Sequence, residues 1–77
     1  MSIERYNTAF IQTLRVSEEE LPGLHFNSTK LWDSIGHLTL MMAVEDAFDI
    51  SLEPEDILSF QSYEDGRKIL GKYGIKL

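Results

Sequence analysis

Apolar residues recur along much of the chain at helical spacing. Ile3, Tyr6, Phe10 and Leu14 fall at i, i+3, i+7 and i+11, while Glu4, Arg5, Asn7, Gln12 and Arg15 fill the opposite face. This pattern predicts a helix over residues 3–15 with one core-facing stripe. Ser2 is a candidate cap at its start, with Arg5 instead of an acid at the capping-box position. The period then breaks, and residues 16–33 predict a long loop. Inside it, Ser17-Glu18-Glu19-Glu20 has the form of a helix start, and Pro22-Gly23 ends it. Leu24, Phe26, Leu31 and Trp32 follow, spaced by polar residues. A connection of this length packs by its own side chains or carries function, so these residues are expected to pin it across the bundle. Trp32 reads as a core anchor, the alternative being a partly exposed platform beside Ser34.

Residues 34–49 predict the central helix, roughly 24 Å long at ~1.5 Å per residue. Leu40, Val44 and Phe48 form one stripe with Met41 and Ala47 beside it, the natural core face. Ile35, Leu38, Met42 and Asp46 form a second stripe, rotated from the first and with Glu45 near its end. A second semi-apolar stripe means either a deeply buried helix or a docking face. Gly36 sits in the first turn, either simply tolerated there or leaving the approach to Ser34 open. Pro54-Glu55-Asp56 is a second helix start, with Pro at the first position and acids in the first turn. That helix would be short, with Ile57, Leu58 and Phe60 as its apolar contacts. Ser62, with Asp65 three residues on, caps a last helix whose stripe is Tyr63, Ile69, Leu70 and Tyr73. Gly74 is placed as its stop, and Ile75 and Leu77 either fold back on the bundle or fray. The expected fold is all-α: a four-helix bundle with a long loop between helices 1 and 2 and a short third helix.

Composition narrows what such a bundle can do. The 77 residues make one domain. A chain this short forms one thin core without a deep active-site cavity, which favours a binding or carrier module over an enzyme. Thirteen Asp and Glu against seven Lys and Arg give a net charge of −6. That surface repels phosphate backbones, so nucleic acid is not an expected partner and a basic protein surface is. No apolar run approaches the roughly 20 residues of a membrane span, and the start of the chain lacks the form of a signal peptide. A cytoplasmic monomer is expected. There is no cysteine, so disulfides and thiolate metal sites are excluded, and any thiol chemistry requires an added group.

Three chemistries compete for the acids, serines and histidines. Asp33, Ser34 and His37 lie close together, with Ser34 and His37 at i, i+3 on one helix face. A serine nucleophile needs a base oriented by a third group and an oxyanion hole, and adjacent Asp and Ser do not easily flank one histidine in that order. His25, in the loop, reads as structural or exposed. Asp46, Asp49, Glu53, Glu55 and Asp56 are crowded, but Ile50, Leu52 and Pro54 interrupt them and no glycine is present, so the calcium-loop pattern is absent. They read as helix-end acids. The third chemistry is attachment of a phosphate group at Ser34, where unpartnered N–H groups and the positive end of the helix favour a phosphodiester by about 0.3–1 kcal/mol. Asp33 opposes this slightly and reads as a cap or as a contact for the modifying enzyme.

At Asp33-Ser34-Ile35 the sequence resembles the acyl carrier protein family, whose motif is Asp-Ser-Leu or a close variant. Trp32-Asp33-Ser34-Ile35-Gly36-His37-Leu38 is similar to the W-D-S-hydrophobic-x-H form of many stand-alone carriers. Residues 40–50 resemble the family's apolar helix ending in acids, Phe and Ile. Pro54-Glu55-Asp56-Ile57 and Ser59-Phe60-Gln61-Ser62-Tyr63 match its short third helix and the start of its fourth. The resemblance covers nearly the whole chain and is strongest from Trp32 to Leu70. It implies a protein that is not itself an enzyme. Ser34 would receive 4'-phosphopantetheine from coenzyme A through a phosphopantetheinyl transferase, with Asp33 part of the recognition motif. The arm's thiol would carry acyl groups as thioesters in lipid, polyketide or related secondary biosynthesis. Ile35, Leu38, Met42, Glu45 and Asp46 match the family's face for basic acyl-loading and acyl-transferring enzymes. Leu40, Met41, Val44, Phe48, Ile57 and Phe60 would form the core and line a slot for the acyl chain.

The sequence departs from the fatty-acid carrier form at two positions. Gly36 and Thr39 stand two and five residues after the serine, where that form has acids. The acidic face is thereby thinned near the attachment site, which points to a specialised carrier with dedicated partners. An aminoacyl or peptidyl carrier, such as a D-alanyl carrier, is the alternative within the class. An unmodified helical interaction module is the alternative outside it.

Overall fold

In a computed structural model that describes residues 2–77, the 3.6-residue period becomes helix wherever the sequence carries it. Helix α1 runs Ser2–Leu14 and buries Tyr6, Ala9, Phe10 and Leu14. Ser2 is already helical, so it is not the cap the sequence suggested. Arg15 turns into the left-handed region, φ 56°, and closes the helix with its N–H on the Ile11 carbonyl at 2.9 Å. The loop that follows contains a 3-10 turn, Glu18–Gly23, in which the Glu20 carboxylate accepts from the Ser17 N–H at 2.9 Å and from the Ser17 hydroxyl at 3.1 Å. Those two bonds hold the Glu20 carboxyl below its usual range, the backbone one contributing most.

Helix α2 runs Ser34–Phe48, and the predicted final residue, Asp49, is instead its left-handed cap. Helix α3, Pro54–Ser59, is a single short turn and a half begun by proline. Helix α4, Tyr63–Gly71, is capped by the Ser62 hydroxyl on the Asp65 N–H at 2.9 Å. Gly74 ends it as expected: at φ 81° it lets its own N–H reach the Gly71 carbonyl and the Ile75 N–H reach that of Leu70. Ile75 and Leu77 then fold back against the core. The result is a small helical bundle with no strand among the described residues.

Aromatic rings fill the centre of the core. Phe10 is the hub, with ring centroids 4.9 Å from Tyr6, 5.6 Å from Trp32, 6.1 Å from Phe60 and 5.3 Å from Tyr63. Such pairs contribute about 0.5–1.5 kcal/mol each beyond the area they bury. Buried phenols need partners, and the Tyr6 hydroxyl donates to the Tyr63 carbonyl at 2.6 Å. Burial there pushes the Tyr6 phenol far above its ordinary range. Gly66 brings α4 close to this cluster: a β-carbon at that position would lie 2.1 Å from the Tyr6 hydroxyl oxygen and 2.2 Å from the Phe60 ring.

The long loop is pinned through its backbone as well as its side chains. His25 pairs with Ser62 in an isolated antiparallel bridge, with the Phe26 N–H on the Gln61 carbonyl at 2.8 Å and the Tyr63 N–H on the Leu24 carbonyl at 2.9 Å. Leu21, Leu24 and Trp32 are buried and Phe26 is half-buried. Two apolar contacts expected from the sequence are not made: Leu31 in this loop and Leu58 on α3 are 44% and 76% exposed. Both occupy the outward side of a short segment whose neighbours, Trp32 and Ile57, take the inward places.

Asp56 is buried, although its position in the first turn of α3 suggested a solvated helix-end acid. Its carboxylate accepts from Lys72 Nζ at 2.5 Å and from the Tyr73 hydroxyl at 2.6 Å, and that hydroxyl accepts from the Glu53 N–H at 2.8 Å. The cluster clamps the start of α3 to the end of α4. The Lys72 ammonium, then the Tyr73 hydroxyl, hold the Asp56 carboxyl below its ordinary value, near 3.9 in an unfolded chain. A lowered carboxyl contributes stability that is complete above about pH 4 and is lost as pH falls through the depressed folded value. Asp56→Asn is therefore expected to be less stable than the parent chain at pH 7, with the gap narrowing as pH falls below about 4. Urea melts along a series from pH 7 downward measure this, and a gap that does not narrow at low pH would contradict it.

Candidate functional site

Ser34 is the first residue of α2 and is exposed. Its position is set by the residues on either side. Asp33, the N-cap, is extended (φ −103°, ψ −167°), and its Oδ1 accepts from the Gly36 N–H at 2.8 Å while its carbonyl accepts from the His37 N–H at 2.8 Å. The side chain thus satisfies one of the donors left over at the helix start, and the carbonyl accepts the first bond of the helix itself. The cap role read from the sequence is the one Asp33 plays.

Trp32 is fully buried, a core anchor and not a platform. Its N–H bonds the Thr29 carbonyl at 3.1 Å, and its carbonyl accepts from Asn27 at 2.9 Å. Its indole Nε1 donates to His37 Nδ1 at 3.0 Å. His37 Nε2 lies 2.8 Å from the Ile57 carbonyl on α3. The two rings are nearly parallel, 10° apart, with Phe26 and Phe60 packed against the imidazole. An indole N–H only donates and a carbonyl only accepts, so both contacts are made by one species: neutral imidazole with its proton on Nε2. Sharing a helix face with Ser34 therefore does not make His37 its base, because both ring nitrogens are engaged in the interior.

Gly36 is required by close packing. A β-carbon there would stand 1.6 Å from the Leu31 carbonyl oxygen and 2.8 Å from its carbonyl carbon. Its small size serves the approach of the incoming loop, which rules out any larger residue in this conformation, including the acid expected at this place. Thr39, at the other such place, is exposed and turns its hydroxyl back to the Ile35 carbonyl at 3.2 Å.

The two stripes of α2 separate cleanly. His37, Leu40, Met41 and Val44 face inward, with Phe48 half-buried. Ile35, Leu38 and Met42 face outward, at 77%, 59% and 63% exposure. With Leu31 and Leu58 they are the large hydrophobic residues left most open among the described residues. Glu45 does not join this strip as an open acid: its Oε2 accepts from the Leu52 N–H at 2.7 Å, and its carbonyl accepts from Asp49 and Ile50. Asp46 is exposed and borders an open groove between α1 and α2 with Arg5 and Ala43. Ile57 is half-buried and Phe60 fully buried. His25 is exposed, its Nδ1 3.0 Å from the Gly23 carbonyl. Among the described residues no three His, Asp or Glu side chains are grouped to hold a metal ion, and no helix is long and apolar enough to cross a membrane.

His37 is the residue whose importance the sequence least reveals. One signal was present: it precedes Leu40, Met41 and Val44 by three, four and seven positions and so extends the core stripe by one turn. Comparisons with protein-family models, with curated proteins and with solved structures return no match to this chain.

Helix propensity and packing make opposite predictions at Gly36. Alanine is favoured over glycine in a helix by about 1 kcal/mol, whereas forcing a methyl group into a filled space costs about 1–3 kcal/mol. At 1.6 Å from a backbone oxygen, packing dominates. Gly36→Ala is expected to lower stability by about 1–3 kcal/mol and to alter the emission of Trp32, the single tryptophan. A urea melt followed by fluorescence measures both, and a stabilised variant would show that the loop does not hold this approach in solution.

Proposed function

We propose that this chain is a carrier protein of the acyl carrier type, modified at Ser34 with 4'-phosphopantetheine. The observation that carries this reading is an exposed serine at the first position of an N-capped helix, one residue from the outward apolar strip Ile35–Leu38–Met42. The sequence likeness from Trp32 to Leu70 supports it independently.

The residues present suit the group. A phosphodiester on the Ser34 oxygen would sit against the positive end of α2, where the helix favours it by about 0.3–1 kcal/mol. Asp33, held on the Gly36 N–H, keeps the serine outside the core. Attachment forms a bond from the Ser34 oxygen to the phosphorus that bears the pantetheine in coenzyme A, breaks that phosphorus's bond to the adenosine bisphosphate, and releases the hydroxyl proton. The bound arm supplies a thiol able to hold an acyl group as a thioester, chemistry that the cysteine-free chain lacks. His37 does not take the serine proton, since its nitrogens are committed to Trp32 and Ile57. The base must come from the modifying enzyme.

The strip of Ile35, Leu38 and Met42 offers partner enzymes an apolar contact, and Asp46 adds charge at its far end. The acid-poor start of α2, with Gly36 in its first turn and Thr39 in its second, favours dedicated partners over general fatty-acid synthase enzymes. Incubation with coenzyme A and a broad-specificity phosphopantetheinyl transferase is expected to add one phosphopantetheine group to the intact mass. Ser34→Ala should take up none. No gain on the parent chain, or a gain that persists in Ser34→Ala, removes the carrier reading.

A further inference from the structure

We propose that His37 is a positioning residue for Ser34, acting through Trp32. Ser34 lies between two residues joined side chain to side chain: Trp32, two positions before it, donates its indole N–H to His37, three positions after it. The contact closes a ring of chain around the serine. The second imidazole nitrogen extends the tie to the Ile57 carbonyl. That carbonyl belongs to the last four of α3, which a helix cannot satisfy from within itself. One imidazole therefore holds the loop, the start of α2 and the end of α3 together directly beneath an exposed serine.

The tie has a specific chemical requirement. Only neutral imidazole carrying its proton on Nε2 satisfies both partners, because the indole N–H needs an acceptor at Nδ1 and the carbonyl needs a donor at Nε2. Four groups face the ring: Phe26 and Trp32 from the loop, Ile57 of α3, and Phe60 beyond it; none carries a charge.

The role of Ser34 as a substrate rests on the carrier reading, but the holding of α2 does not, and the experiment separates them. Three variants are compared with the parent chain. His37→Phe keeps a ring and loses both bonds, Trp32→Phe loses only the indole donor, and His37→Gln retains one acceptor and one donor. Amide hydrogen exchange at positions 36 and 37 is measured without any transferase. Transferase kcat/KM toward Ser34 is measured alongside. His37→Phe and Trp32→Phe are expected to exchange these amides at least about tenfold faster and, where the chain is modified, to lose about 10- to 100-fold in kcat/KM, the scale of a small misplacement of a reacting group. His37→Gln should recover most of the loss. Folded His37→Phe and Trp32→Phe chains with parental exchange overturn the inference, as does a folded His37→Gln chain that recovers neither slow exchange nor kcat/KM. Should His37→Phe fail to fold, Trp32→Phe alone decides. Faster exchange in a chain whose parent is never modified retains the positioning role and removes the carrier reading. Parental exchange in variants of a chain that is modified does the reverse.

Discussion

The burial of Trp32 is the constraint on which the rest of the site depends. A fully buried indole must find an acceptor for its N–H, since leaving that donor unpaired costs on the order of 1–3 kcal/mol. The partner is His37 Nδ1, and that choice determines the rest. It fixes the tautomer, turns Nε2 toward the Ile57 carbonyl, and draws the residues before α2 against its first turn. With the loop held this close, the Leu31 carbonyl occupies the place of a side chain at position 36, and only glycine can stand there. Asp33 then finds the Gly36 N–H within reach and caps the helix. Ser34, which has no inward task, remains on the outside beside Ile35.

The regular parts of the fold were legible because they obey local rules. The periods of α1 and α2, proline at the start of α3, the Ser62 cap and the Gly74 stop each depend on residues within a few positions of one another. What stayed hidden depends on pairs far apart in the chain. Nothing near Asp56 announces Lys72 and Tyr73, and nothing near Gly66 announces Tyr6 and Phe60. Gly36 left two explanations open, and the structure supplies a third, the Leu31 carbonyl, that no inspection of helix propensity would reach. Leu31 and Leu58 were assigned inward places by hydrophobicity alone and lie outside because their segments are too short to turn two adjacent apolar residues to the core.

The site itself was half legible. An exposed Ser34 behind an Asp33 cap follows from the sequence, as does the division of α2 into two stripes. The direction of His37 does not, because at i, i+3 from Ser34 it has two places to go. Local spacing favours the serine, while the core offers two hydrogen-bond partners and two aromatic rings. The interior wins, since a buried imidazole with both nitrogens satisfied incurs no unpaired-group penalty. Glu45 is a similar case. Its position on the helix suggests an open acid, yet the chain leaving α2 needs an acceptor for the Leu52 N–H and finds it there.

Stability does not account for the outward stripe. The core is already served by His37, Leu40, Met41 and Val44, and polar residues at positions 35, 38 and 42 would leave every inward contact intact. Single exposed hydrophobic residues are common on protein surfaces, but three in register along one helix form an apolar strip. The strip begins immediately after the one serine that the helix start leaves outside. On the carrier reading, that adjacency is what a partner enzyme requires: an apolar contact to seat upon, and a rigid point, held from beneath by Trp32 and His37, at which the cargo arm begins.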